Sequence, residues 1–289
     1  MRTALAVGGA VVAGAGVLIG VHVATSSGGG GVSMPAAPAA PASISDTAAS
    51  PAGGAAYAGS LELNDTGSAL TSWNATSKFC AQNSWEVPDG KVATDANGDA
   101  TLTTTGKTGS CVAMISPGTV SSGVVEVAVD LPALPGKPGT IADWTSVWLT
   151  DQAAWPADGE IDAVEAEPAT AKNAVSYHWG TTSSPQSVST DGFAKDGTLP
   201  VRSADLTPGW HVVDVVYTKG FFAVYYDGKL FTTANNSVVT GAPLNLIISS
   251  SVTPATKAVE QTLGGTAPLN SDSSPANIAV KYVKVWTYK

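Results

Sequence analysis

Alternation of apolar and polar residues is the feature of this sequence that most restricts its fold. Val125, Val127 and Val129 alternate with Glu126 and Asp130. Successive side chains of a strand point to opposite faces, so this period of two predicts a strand with one buried face. No window shows a sustained apolar stripe at the helical period, which argues against a helical architecture.

Turn-forming dipeptides separate the alternating stretches at short intervals. Asn97-Gly98, Lys219-Gly220 and Asp227-Gly228 lie between strand-like segments and predict tight hairpins. Further strands are predicted for the stretches CVAMIS, TSVWLT, AVSYHWG, LNLIISSS and NIAVKYVKVWTY. Many short strands joined by turns predict an all-β fold, an antiparallel β-sandwich or jelly roll.

The first 56 residues differ in composition from the rest of the chain. After Arg2 an uncharged apolar run extends to Ala24, which predicts a signal peptide over residues 1–25. The run is also about long enough to cross a bilayer, so a membrane anchor is the alternative. Residues 26–56 are rich in Gly, Ala, Pro and Ser and predict a linker. We therefore expect one folded domain over residues 57–289, in a secreted or membrane-anchored, extracytoplasmic protein.

Charge and cysteine content exclude several classes of function. The formal net charge is −9, with 14 Lys and Arg and no basic cluster, which argues against nucleic acid as a partner. Cys80 and Cys111 are too few for a cysteine-based zinc site, and in an exported chain they predict one disulfide. The three histidines leave little room for zinc. We expect a monomer without a cofactor, and a structural calcium ion is the alternative.

One short stretch concentrates acidic residues in a chain that is otherwise poor in charge. Residues 155–167 hold five of the 23 Asp and Glu. In a regular strand Glu160 and Asp162 would share one face, and Glu165 would point to the other. One extra residue around positions 163–164 would form a β-bulge that returns Glu165 to the first face. We therefore predict three carboxylates in a row.

Such a row suits glycosidic bond cleavage. Two carboxyl groups flank the scissile bond: an ionised one attacks the anomeric carbon, and a protonated one supplies a proton to the leaving oxygen. A third carboxylate between them can hold the nucleophile, while mutual repulsion keeps one of the three protonated near neutral pH. The alternatives are a solvated strand face and a calcium site, since clustered carboxylates suit a hard cation.

The acidic motif also resembles that of a known enzyme family. GEIDAVE is similar to the Glu-x-Asp-x-x-Glu signature of glycoside hydrolase family 16, which includes laminarinases and lichenases. The similarity extends over residues 120–289, through SVWLTDQAAWPADGEID, YHWG, GWHVVDVVYTKGFFAVYYDGKLF, PLNLIIS and VKYVKVW. The resemblance implies a concanavalin A-like jelly roll. It also implies that Glu160 is the nucleophile, Asp162 its assisting carboxylate and Glu165 the general acid/base.

Substrate-binding residues are implied by the same resemblance. Trp148 would floor the cleft beneath the reacting sugar and Trp155 would contact that sugar or its neighbour, because pyranose CH faces stack on indole. Trp179 is a further candidate. His178 lies on the strand expected beside the carboxylates, where it would hydrogen-bond a substrate hydroxyl or Glu165. Two more tryptophans, Trp210 and Trp286, are expected in the core.

The predicted function is a secreted, endo-acting, retaining β-glycosidase that hydrolyses a polysaccharide. By the family default the substrate is β-1,3- or β-1,3-1,4-glucan. A transglycosylase on the same fold and a noncatalytic carbohydrate-binding sandwich are the alternatives. The chain departs from the laminarinase pattern where IISSS replaces a Gly-Gly pair after LNL.

Overall fold

Fourteen strands and two short helices make up the part of the chain that the structure describes. A computed structural model describes residues 60–80, 86–136, 139–166, 173–181, 184–189, 206–252 and 275–288. The predicted signal or anchor and linker lie outside these residues. The elements are β1 Ser60–Thr66, α1 Gly67–Thr71, α2 Thr76–Phe79, β2 Lys91–Thr94, β3 Ala100–Thr103, β4 Cys111–Val120, β5 Gly123–Leu131, β6 Trp144–Thr150, β7 Glu160–Ala166, β8 Asn173–Thr181, β9 Ser184–Ser189, β10 Gly209–Thr218, β11 Phe221–Tyr226, β12 Lys229–Asn235, β13 Leu244–Ser251 and β14 Asn277–Thr287.

The strands form two antiparallel sheets. The eight-stranded sheet has the order β12-β11-β10-β5-β14-β3-β2, with β1 also paired to β14. The six-stranded sheet has the order β4-β13-β6-β7-β8-β9. β7, which carries the acidic motif, therefore lies inside its sheet, paired to β6 and β8. The predicted all-β sandwich is confirmed.

The core lies between the two sheets and is built by the alternation seen in the sequence. Val125, Val127 and Val129 of β5 are buried there. Leu149 and Ile161 of the six-stranded sheet belong to the same cluster. Burying a Val or Leu side chain contributes roughly 1.5 to 3 kcal/mol, so this cluster accounts for much of the stability.

The hairpins occur where the turn dipeptides predict them. Asp227 and Gly228, between β11 and β12, have φ angles of 51° and 74°. Positive φ at both central positions is the geometry that matches the twist of the flanking strands, and Gly adopts it without steric cost. The Asn97-Gly98 turn likewise joins β2 to β3.

The two helices are not predicted by the sequence, because each has at most five residues and no periodic stripe. Tertiary contacts hold α2 against β4: Ala113 donates its N–H to the Thr76 hydroxyl over 3.2 Å. The Cys80–Cys111 disulfide, which the sequence predicts, fixes the same junction. Within the described residues no helix is long and apolar enough to cross a membrane.

Candidate active site

A β-bulge in β7 brings the three carboxylates to one face. Between Asp162 and Glu165, β7 advances three residues while β8 advances only two. On the other side, consecutive residues of β6 pair with Val164 and Asp162. Ala163 is the extra residue, and it is buried in the core together with Val164. The predicted bulge is confirmed, and it returns Glu165 to the face of Glu160 and Asp162.

The strand register then places each carboxylate in a row of side chains on this face, because directly opposed residues of antiparallel strands project to the same side. Glu160 lies between Thr150 of β6 and His178 of β8. Asp162 lies between Trp148 and Ser176, and Glu165 between Ser146 and Ala174. We call this surface of the six-stranded sheet the carboxylate face.

Close polar contacts join Glu160 and Asp162 to β8. His178 Nε2 lies 3.2 Å from Asp162 Oδ2 and 3.5 Å from Glu160 Oε1. The Ser176 hydroxyl donates a hydrogen bond to Asp162 Oδ2 and lies 3.3 Å from the same imidazole nitrogen. Glu160 and Asp162 are only 5% and 7% exposed, so these contacts take the place of most of their hydration.

The electrostatics follow from this burial. Burial raises the pKa of Glu160, and the neighbouring Asp162 raises it further, whereas His178 and the polar side-chain groups of the nearby Trp155 and Thr150 lower it. Burial by itself lowers the pKa of His178, but Glu160, Asp162 and, more weakly, Glu165 raise it to about 9. His178 therefore carries a positive charge at neutral pH and offsets the carboxylates beside it.

Glu160, Asp162 and His178 are also the group that could hold a metal ion among the described residues. One ligand atom from each lies within 4.8 Å of the other two. A histidine ligand must be neutral, since a protonated imidazole has no free lone pair. With the pKa of His178 raised to about 9, protonation of the imidazole competes with metal binding at neutral pH.

Two of the predicted sugar-binding tryptophans lie beside this row. Trp148 is partly exposed, and its indole N–H donates to the Ser249 hydroxyl over 3.2 Å while Phe79 packs edge-on against its ring. Ser249 belongs to the IISSS stretch, and its hydroxyl holds the Trp148 indole in place. Trp155 lies with its ring centroid 6.4 Å from that of His178, and a cis peptide bond joins it to the following Pro156.

The Trp155 indole nitrogen is placed to donate a hydrogen bond in the site. It is buried and has no partner of ordinary hydrogen-bond geometry among the described residues. It still lies near enough to Glu160 to lower the pKa of that carboxyl. A buried donor without a well-aligned partner costs free energy, so a hydrogen bond to an incoming acceptor such as a sugar hydroxyl is favourable.

The other tryptophans lie away from the carboxylate face. Trp179 follows His178 by one residue, points to the core side of β8 and stacks on Tyr177 with the centroids 5.9 Å apart. Trp179 therefore lies on the face opposite to the carboxylates, away from the position in which it was predicted to contact substrate. Trp210 belongs to the eight-stranded sheet and is 38% exposed, contrary to its expected core position. Trp286 is buried as expected.

Sequence reasoning missed Ser176, Asn173 and Tyr226. Ser176 lies two residues before His178 and so shares its face, a relation that the period of two could have revealed. Asn173 and Tyr226 contact the backbone of the bulge from another strand and from the other sheet. No local pattern in the sequence indicates these contacts.

Comparison with known protein families gives a match to a catalytic domain. Residues 73–204 match an XgeA-like catalytic domain of glycoside hydrolase family 16. This match contains the whole acidic motif and its neighbouring strands β6 and β8. No curated protein matches the chain in sequence.

Several solved structures are similar in fold. One, of endo-acting O-glycanases that members of the human gut microbiota express to initiate mucin breakdown, is 19% identical over 80% of this chain and all of its own, with a TM-score of 0.51. The LamA catalytic domain of Zobellia galactanivorans is 18% identical over 79% of this chain and 98% of its own, with a TM-score of 0.48. A mixed-linkage glucan enzyme of Bacteroides ovatus is 14% identical over 77% and 93%, with a TM-score of 0.49. The first of these similarities supports the sandwich fold.

Proposed function

We propose that the chain is an endo-acting, retaining β-glycosidase of a polysaccharide, since residues 73–204 match the catalytic domain of family 16 glycoside hydrolases. The observation that carries this proposal is the bulge in β7, because it brings Glu160, Asp162 and Glu165 to one face beside His178. A regular strand would divide the two glutamates between opposite faces.

The proposed reaction is a double displacement. A Glu160 oxygen attacks the anomeric carbon as the bond to the leaving sugar breaks, and Glu165 gives its proton to the departing oxygen. Glu165, now ionised, then takes a proton from water, which attacks the anomeric carbon and releases Glu160. Asp162, held by Ser176 and His178, keeps the neighbouring Glu160 in place.

For substrate we propose β-1,3- or β-1,3-1,4-glucan. This follows the resemblance of the sequence to laminarinases and lichenases. Trp148 and Trp155, on either side of the acidic row in β6 and the following loop, supply the apolar surfaces on which pyranose rings stack. Their partial exposure leaves these surfaces accessible to a chain of sugars.

We also propose that the enzyme acts outside the cytoplasm. The Cys80–Cys111 disulfide supports this location, because disulfides persist in oxidising compartments. The apolar run that ends at Ala24 supplies the export signal in this proposal.

Product analysis tests the proposed reaction and substrate together. The full chain is incubated with laminarin, lichenan, xyloglucan, agarose and mucin, and the products are separated by chromatography and weighed by mass spectrometry. We expect oligosaccharides of several lengths from laminarin or lichenan, and none with the Glu160→Gln variant at equal folded concentration. Cleavage by that variant at the wild-type rate would sink the proposal, whereas products longer than the substrate would indicate transfer to sugar.

A further inference from the structure

The bulge in β7 creates a backbone problem that strand pairing does not solve. Ala163 has no paired residue in β6 or β8. It is also completely buried, so no water replaces the missing partner of its carbonyl group. Leaving a buried backbone group without a hydrogen bond costs about 1 to 3 kcal/mol, and native structures almost always supply one.

Two side chains satisfy the backbone around the bulge. The Tyr226 hydroxyl donates a hydrogen bond to the carbonyl oxygen of Ala163. On the far side of the bulge, the Glu165 N–H donates to Asn173 Oδ1 over 2.8 Å. Asn173 Nδ2 in turn donates to the Tyr226 hydroxyl oxygen over 2.8 Å.

These three hydrogen bonds form a chain in which the donor and acceptor of one bond determine those of the next. Because the Glu165 N–H can only donate, the Asn173 atom that faces it must be the carbonyl oxygen, which leaves the amide NH₂ group to face Tyr226. The Tyr226 oxygen accepts this bond and so directs its own proton to Ala163. Hydrogen bonds that share a group in this way strengthen one another. The network thus clamps the bulge at the residues before and after Val164.

The network is buried and reaches across the sandwich. Asn173 has no exposed surface, and burial raises the pKa of Tyr226, so its hydroxyl keeps the proton that it donates. Tyr226 belongs to β11 of the eight-stranded sheet and packs on Phe231 with the ring centroids 4.9 Å apart. The position of the bulge is therefore fixed by the opposite sheet as well as by the neighbouring strands.

We propose that Asn173 and Tyr226 are positioning residues for the general acid/base Glu165. Without the bulge, Glu165 would fall on the same face as Ile161 and point into the core, since a shift of one residue moves a side chain to the other face. By holding the bulge, the two side chains aim the Glu165 carboxyl at the leaving oxygen. This inference rests on the proposed function, in which Glu165 transfers the proton.

The test compares two substrates that differ in their need for an acid. One is laminarin, or lichenan if that is the polymer cleaved; the other is the 2,4-dinitrophenyl β-glycoside of the matching oligosaccharide. Dinitrophenolate leaves without protonation, so the first displacement on this substrate does not need Glu165. The readout is the ratio of the polysaccharide rate to the first-turnover release of dinitrophenol. A ratio cancels any loss of folded enzyme in a variant.

For Tyr226→Phe and Asn173→Ala we expect this ratio to fall on the order of 10- to 100-fold, with KM little changed, because misplacement by about 1 Å can cost that much. Tyr225→Phe is the matched control, since Tyr225 is adjacent but lies in the cluster on the other side of β11. It should keep the wild-type ratio. Equal losses on both substrates in Tyr226→Phe, or an unchanged ratio, would overturn the positioning role.

Glu165→Gln separates failure of this inference from failure of the proposed function. It should lower the same ratio by about 100-fold or more, and added azide, which needs no general base, should restore its steady-state turnover of the aryl glycoside. If Glu165→Gln leaves the ratio unchanged, Glu165 is not the acid and the proposed function fails with the inference. If only Glu165→Gln lowers it, the inference alone fails.

Discussion

His178 places a positive charge beside two buried carboxylates, and this charge bears directly on the nucleophile. A nucleophilic carboxylate must be ionised, yet burial and Asp162 both raise the pKa of Glu160. His178 opposes them and keeps Glu160 ionised to lower pH than its surroundings would allow. The imidazole thus acts through charge as well as through any contact with substrate.

Replacing this histidine by a neutral residue should move the pH dependence of catalysis. In His178→Gln the pKa of Glu160 rises further, so the acidic limb of kcat/KM shifts to higher pH. The profile of kcat/KM against pH reports groups of the free enzyme and measures this shift. His211→Gln is the matched control: His211 pairs with Asp227 in the hairpin of the eight-stranded sheet and should leave the limb in place. An acidic limb that moves to lower pH in His178→Gln contradicts this role.

At the scale of elements, the alternation of side chains along β7 predicts one part of the site and leaves another part unpredicted. The spacing of Glu160, Asp162 and Glu165 predicts the bulge, because three carboxylates share a face only if one residue is added. The Tyr226 side chain that supports the bulge lies 63 residues along the chain from Ala163, whose backbone carbonyl it binds, and no local pattern joins the two. For Trp179 the alternation and the family resemblance disagree: the alternation with His178 places it on the core side, where it stacks on Tyr177, and only the resemblance places it in the substrate site.

The junction of α2 with β4 depends on the disulfide. Cys80 and Cys111 are 31 residues apart, and closing such a loop stabilises the fold by about 3 to 4 kcal/mol in the chain-entropy model. The double variant Cys80→Ser/Cys111→Ser should therefore have a free energy of unfolding that is lower by that amount, and it should unfold at a lower urea concentration. Denaturant unfolding followed by circular dichroism measures it. A free energy of unfolding within 1 kcal/mol of the wild type contradicts a stabilising closure.

At the scale of the whole molecule, the sandwich follows from repeated alternation, because the stretches of sequence with a clear period of two form strands of the two sheets. β1 was not predicted: Ser60–Thr66 is mostly exposed and carries polar residues on both faces. Backbone pairing to β14 forms this strand, and such pairing leaves little trace in side-chain pattern.

Thermal stability should fall as pH rises through the range of the buried histidine. The pKa of His178 is raised from 6.5 to about 9, so its stabilising contribution is complete below pH 6.5 and is lost as pH rises through about 9. This difference corresponds to about 3 kcal/mol, or a fall in Tm of roughly 5 to 10 °C. Glu160, whose pKa is also raised, and His211 act in the same direction.

Calorimetry at pH 6 and pH 9.5 measures this fall in Tm. The double variant Glu160→Gln/His178→Gln removes the two groups of the site whose raised pKa values cause the fall, so its Tm should decline less, with His211 left to contribute the remainder. A wild-type Tm that is constant or rises with pH would show that folding does not raise the pKa values of His178 and Glu160.

The central claim is that Glu160 attacks the sugar from the carboxylate face of the bulged strand. The most direct measurement is to incubate the enzyme with the 2-deoxy-2-fluoro aryl glycoside of its oligosaccharide substrate, digest it, and locate the added mass by peptide sequencing. The 2-fluoro group slows the second displacement and lets the glycosyl-enzyme accumulate. We predict that the sugar is attached to Glu160. Attachment to another carboxylate of the row would contradict the assigned nucleophile, and hydrolysis with no labelled peptide would contradict the double displacement.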